Sequence, residues 1–285
     1  MSEFADRFWT SRDGLKLHYR DYAGRDDRPV VVCLPGLTRN ARDFAHVASR
    51  IAGQWRVICP ELRGRGDSAY AKDSATYNPV QYVEDLAALF EEAQIGRIVA
   101  LGTSLGGLMT MIMAMTMPER LAGALLNDVG PEIEPEGLER IRGYVGQGRS
   151  FETWMHAARA LEESQASAFP EYEITDWLAM AKRCMVVGSN GRIVFDYDMK
   201  IAEPLAQPGG EAGVDLWPAL DGLKGKPVLL LRGDLSDVLS DKVHCRMAKV
   251  LPEAEAVTVP GVGHAPMLDE PEAVAALDRL LARLG

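Results

Sequence analysis

Short apolar runs recur along the chain at Val30–Leu34 (VVVCL), Arg56–Cys59 (RVIC), Ile98–Leu101 (IVAL), Ala124–Leu126 (ALL) and Val228–Leu231 (VLLL). Too short for core helices, they read as strands of a parallel sheet covered on both faces. Ala256–Val259 is a further strand, while Lys16–Tyr22 (KLHYRDY) alternates as an antiparallel edge hairpin strand would. Between them lie helical patterns. Ala41–Ile51 follows Asn40 as N-cap, Pro79–Ala93 follows Asn78 with proline in its first turn, and Glu270–Leu284 opens at Pro271. Leu108–Met117 (LMTMIMAMTM) alternates like a strand. Its Met, Leu and Ala nevertheless favour helix, and it follows a glycine-rich turn, so a helix buried under the sheet is expected. Strands alternating with helices in this way predict βαβ units, an α/β fold with a mostly parallel, doubly wound sheet.

The alternation lapses over 131–216. That stretch is helical in pattern at Gly137–Tyr144, Phe151–Glu163 and Ile174–Val187, with no strong buried strand, and Gln207–Glu211 reads as a flexible loop. A crossover between parallel strands needs only a dozen or so residues, so the surplus points to a functional insertion. The reading is a core of 1–130 and 217–285 with a helical segment, 131–216, inserted between its two parts. Trp154 and Trp177 in the insertion suggest an apolar substrate-binding wall.

Composition narrows the function more than the fold. With 285 residues, 47% hydrophobic, and a net charge of −10, the chain offers no basic surface for nucleic acid or anionic membrane. Its amino-terminal residues lack the basic and apolar regions of a secretory signal, and no apolar run approaches bilayer length. Cys33, Cys59, Cys184 and Cys245 are dispersed, without the clustered ligands of a metal site. Reduced thiols in a cytoplasmic protein, with neither metal nor cofactor, are expected.

The strongest chemical signal is Gly102-Thr103-Ser104-Leu105-Gly106, placed between a strand and a helix. A tight strand-to-helix turn presents a strained serine, and its glycines remove side chains that would collide with that turn. Ser104 needs a base, and of the five histidines His264 is best placed, in the glycine-flanked loop after Ala256–Val259. His18, His46, His156 and His244 read as non-catalytic. A carboxylate must orient His264 and stabilise its imidazolium. Asp237, a few residues beyond the strand at 228–231, ranks first, with Asp234 and Asp128 as the other candidates. The backbone N–H groups of Leu37, after Leu34-Pro-Gly36, and of Leu105 would form an oxyanion hole.

In order, Leu34-Pro-Gly36-Leu37, Pro60-Glu61-Leu-Arg63-Gly64-Arg-Gly66-Asp67-Ser68, Gly102-x-Ser104-x-Gly106, Gly233-x-x-Ser-Asp237 and Gly263-His264 resemble the α/β-hydrolase family. The resemblance covers nearly the whole chain outside 131–216. It implies a lid-bearing serine esterase whose helical cap is the inserted segment. Two positions depart from the family's habit. Pro35 stands where histidine often precedes the oxyanion glycine, and Glu61 stands where aspartate is common. Arg63–Ser68 matches a mostly structural signature, with Asp67 serving the turn. The expected reaction is acyl transfer from a small ester-like substrate to water. Lactone, thioester and carbon–carbon-bond hydrolysis use the same triad, and a non-catalytic receptor on the same fold is the rival of another class.

Overall fold

The apolar runs become strands of one sheet, and alternate residues within each run face opposite layers of helix. The computed structural model of the protein describes residues 3–206 and 215–285. In chain order it contains β1 (Phe4–Thr10), β2 (Lys16–Tyr22), β3 (Val30–Leu34), α1 (Ala45–Ile51), β4 (Val57–Pro60), α2 (Pro79–Glu92), β5 (Ile98–Thr103), α3 (Leu105–Thr116) and β6 (Leu121–Asn127). The inserted segment contributes α4 (Pro135–Tyr144), β7 (Ser150–Phe151), α5 (Trp154–Gln165), α6 (Ile174–Cys184), β8 (Met185–Val187), β9 (Ile193–Phe195) and α7 (Ala202–Leu205). The chain then completes the core with β10 (Val228–Gly233), α8 (Asp241–Val250), β11 (Glu255–Val259) and α9 (Pro271–Ala282).

Among the described residues the main sheet has eight strands in the order β1-β2-β4-β3-β5-β6-β10-β11. The β1–β2 and β2–β4 pairs are antiparallel and the remaining pairs parallel. In β3, Val32 and Leu34 pack with α2 and α3, whereas Val31 and Cys33 pack with α1 and α9. This two-sided burial explains why the central strands lack polar alternation. β2 is not the edge, because β1 covers it. Six of the seven β1 residues are exposed, so that strand carries no apolar signature in the sequence.

Local chemistry sets the helix starts as expected. Asn40 caps a short 3-10 turn over Ala41–Phe44 that runs into α1, and Asn78 accepts from the Gln81 N–H ahead of Pro79. The alternating methionine run forms α3, buried on most sides. The insertion departs from the expected all-helical pattern, for β7, β9 and β8 form a small antiparallel sheet. Strands of two or three residues are too short to show a period. Gln207–Glu211 lies outside the described residues. No helix among those described is long and apolar enough to cross a membrane.

Glu61 is fully buried in this frame. It accepts the Asp67 and Ala41 backbone N–H groups and pairs with Nδ1 of His18 at 2.9 Å. The other ring nitrogen of His18 meets Asp6 at 2.9 Å, so both of its ring nitrogens are engaged by carboxylates. His18, Glu61 and Asp67 place possible ligand atoms within 4.8 Å of one another, but His18 has no lone pair free for a metal. Burial pushes the His18 imidazole down, yet Glu61 and then Asp6 outweigh it and hold its pKa above 6.5. Burial likewise pushes the Glu61 carboxyl up, and the His18 hydrogen bond reverses this to leave it below 4.5. A raised histidine pKa contributes stability that is complete below the unfolded value and lost as pH rises through the folded one. The lowered Glu61 pKa contributes stability that is lost as pH falls through its folded value. Thermal unfolding across pH should therefore show His18→Gln costing most between about pH 4.5 and 6.5 and progressively less in alkali. A pH-independent cost would show that His18 is not held as imidazolium.

Candidate active site

Strand β5 ends at Thr103 and α3 begins at Leu105, which leaves Ser104 alone on the turn between them. Its φ of 52° lies in the left-handed region, strained for a serine and imposed by the tight turn. The glycines on either side make that turn possible. A Cβ on Gly102 would stand 2.4 Å from the Gly106 carbonyl oxygen, and one on Gly106 would stand 2.1 Å from that of Leu34.

Ser104 Oγ lies 2.8 Å from His264 Nε2, and His264 Nδ1 lies 2.7 Å from Asp128 Oδ2. With a carboxylate opposite it, Nδ1 carries the proton, leaving Nε2 to accept from the serine hydroxyl. Asp128 follows β6 directly and is fully buried. Its φ of 56° is a conformation aspartate tolerates better than most residues. Besides His264, its carboxylate accepts the Gly233 backbone N–H at 2.9 Å and the Ser236 hydroxyl at 2.6 Å. The loop after β10 therefore supplies donors to the carboxylate that meets His264, rather than that carboxylate itself.

Asp237 does not reach His264 in this arrangement, contrary to its first ranking from sequence. Its two carboxylate oxygens are taken by Arg140 of α4, at 2.5 and 2.8 Å. Partial burial pushes the Asp237 carboxyl up, but the Arg140 hydrogen bond and charge outweigh it and hold it below its ordinary value. The Asp237 carbonyl also accepts the Gly137 N–H, and that of Val238 accepts the Glu134 N–H, so the loop seats the start of α4. Asp234 is exposed. Of the remaining histidines, His244 is buried against the Leu230 carbonyl and His156 is exposed on α5. Neither they nor His18 and His46 hydrogen-bond to Ser104.

The Gly36 backbone runs beside Ser104, and a Cβ there would be in ordinary contact with Ser104 Cβ at 3.9 Å. The neighbouring Leu37 is fixed from its carbonyl side, which accepts from Arg65 Nε at 2.9 Å and Nη2 at 2.7 Å. Arg65 is fully buried and spends its other nitrogen, Nη1, on the Arg63 carbonyl and the Tyr82 hydroxyl. This link between the Arg63–Ser68 motif and the Gly36–Leu37 loop was not visible in the sequence, where the motif reads as a turn. Leu105 opens α3, where the first N–H groups have no partner within the helix.

Ser104, His264, Leu37 and Leu105 border a cavity of about 210 Å³. Trp154 and Trp177, expected in its wall, do not line it. Trp177 is 1% exposed and packs edge-on against Phe169 and Tyr172 in the insertion's own small core, which Trp154 flanks. The aromatic lining from the insertion comes instead from Tyr144, Phe151, Phe169, Phe195 and Tyr197.

Residues 31–277 match the family model described as the alpha/beta hydrolase family. The chain belongs to the alpha/beta hydrolase family. It is a hydrolase, and its relatives are named for different substrates. It is 34% identical to the 3-hydroxybutyrate-oligomer hydrolase of Cupriavidus necator over 91% of this chain and 90% of that one. It is 25% identical to the 2-(acetamidomethylene)succinate hydrolase of Mesorhizobium japonicum over 83% of this chain and 81% of the relative. Among solved structures, an alpha/beta hydrolase from Novosphingobium aromaticivorans superposes with a TM-score of 0.96 at 62% identity, covering 99% of both chains.

Proposed function

We propose that this hydrolase cleaves carboxylic esters through a covalent acyl-enzyme, with Ser104 as nucleophile, His264 as base and Asp128 as the acid. The observation that carries this reading is the continuous relay from Ser104 Oγ through both nitrogens of His264 to the buried Asp128 carboxylate. In the first step His264 Nε2 takes the hydroxyl proton while Ser104 Oγ bonds to the ester carbonyl carbon. In this reading the developing oxyanion is received by the Leu37 and Leu105 N–H groups, the first on a loop whose carbonyl Arg65 holds and the second at the start of α3. The imidazolium then returns the proton to the departing alkoxide. Water, deprotonated by the same nitrogen, releases the acid and restores the serine.

Two features support an ester as the bond cut. The cavity beside Ser104 is walled mainly by apolar side chains, which suits a short acyl chain. The relative named for 3-hydroxybutyrate oligomers, whose units are joined by esters, covers almost the whole chain. A fluorophosphonate probe followed by peptide mapping tests the nucleophile. One adduct on Ser104 is expected, together with loss of p-nitrophenyl butyrate turnover. A chain that kept the cavity but had lost the chemistry would leave the probe unreacted.

A further inference from the structure

The lining of the cavity is uneven in charge. Most of it is apolar, but the lining residues most open to solvent, Gln147, Arg149 and Ser164, are all polar and all belong to the insertion. They mark its mouth. Two arginines line the cavity among the described residues, and they differ in state. Arg39 is neutralised by Asp43, which meets it through two hydrogen bonds of 2.5 and 2.7 Å. Arg149 has no carboxylate partner among the described residues; its guanidinium lies 5.5 Å from the centre of the Phe151 ring, which also lines the cavity. On a chain of net charge −10, a guanidinium at the mouth without a carboxylate partner among the described residues is a local reversal of sign.

We propose that the preferred substrate is an ester whose chain ends in a carboxylate, with Arg149 receiving that carboxylate at the mouth while Ser104 attacks the ester within. A guanidinium presents two parallel N–H groups to a carboxylate, and the Phe151 ring beside it favours a cation at this place. The apolar wall accepts the methylene chain between the two ends, and Gln147 and Ser164 add neutral donors beside the anion. A substrate of this kind is polar at one end, charged at the other and apolar between, and the cavity lining offers a partner for each part. The assignment rests on the ester-hydrolase reading for its turnover, but not for its binding.

The test compares monomethyl adipate with dimethyl adipate, molecules of similar length that differ by one charge. The intact enzyme should show a higher kcat/KM for the monoester, followed by proton release, and rising salt should reduce the preference. Arg149→Gln should cut the ratio of the two kcat/KM values about tenfold or more, and Arg149→Lys by less, since it keeps the charge and loses the paired donors. A ratio unchanged in Arg149→Gln would overturn the proposal. Calorimetric titration of Ser104→Ala with the same two compounds separates binding from chemistry. Tighter binding of the monoester, lost when Arg149→Gln is added, supports the subsite even where neither compound is turned over, an outcome that would count only against the ester-hydrolase reading. Equal binding of both compounds would remove the subsite whatever the turnover shows.

Discussion

Asp128→Asn is expected to lower kcat for p-nitrophenyl butyrate by about 10⁴, while Asp237→Asn keeps most of the rate. The asparagine would fit the same space, so its effect is on charge and tautomer rather than packing. An amide cannot stabilise the imidazolium that forms when Ser104 gives up its proton. Nor does it fix the hydrogen on Nδ1, and a ring protonated on Nε2 instead cannot accept from the serine. The Gly233 N–H and Ser236 hydroxyl, which now converge on a carboxylate with His264, would face a group of weaker accepting power. Asp237→Asn removes only the ion pair to Arg140, both members of which are partly exposed. Steady-state kinetics on the two variants, with circular dichroism to confirm folding, decides between the acids. Near-normal turnover in Asp128→Asn would exclude it from the relay.

The largest effect on stability is expected at Arg63. This fully buried guanidinium holds Asp85 through hydrogen bonds of 2.6 and 2.7 Å and Asp13 through two of 2.9 and 3.0 Å. Asp13 opens to solvent at its far side, but the Asp85 side chain is only 3% exposed. Arg63→Met would leave Asp85 buried without its counter-charge, at a cost of about 3–5 kcal/mol. For a chain of this size that corresponds to a fall in Tm of roughly 10 °C. The double variant Arg63→Met/Asp85→Leu removes the stranded charge as well and should recover much of the loss. A single variant that melts within a degree or two of the wild type would show that Asp85 is not held charged. Arg63 belongs to the same loop as Arg65, so its loss should also loosen the Leu37 carbonyl and slow ester turnover.

The central sheet was legible because both faces of its strands are buried, which leaves Val30–Leu34 and Val228–Leu231 without polar interruption. β1 was missed for the opposite reason, since a strand that buries only Trp9 shows no alternation. The pairing of Ser104 with His264 could be read locally, because Ser104 depends on glycines two residues away and His264 sits between a strand and the last helix. The carboxylate that meets His264 could not. Asp128 and Asp237 each follow one of two adjacent parallel strands, β6 and β10, and local sequence places both near the same histidine. What separates them is Arg140, a residue of the insertion that occupies Asp237 from more than ninety positions away. The same limit explains the tryptophans. Their size signalled burial, but whether a buried ring faces a cavity or a core depends on partners such as Phe169 and Tyr172, which lie along the insertion rather than beside it in a periodic pattern.

The position of Asp128 also bears on how this protein could be re-engineered. Ser104, His264 and Asp128 all lie outside 131–216, so a chimera that exchanges that segment for another enzyme's would keep the whole hydrogen-bonded chain from serine to carboxylate. The graft would not inherit Arg140. Asp237, stripped of its partner, would then put a second carboxylate within electrostatic reach of His264 and compete for the imidazole. A clean transplant therefore cuts after Gly130 and either carries an arginine at the position of Arg140 or neutralises Asp237 in the recipient.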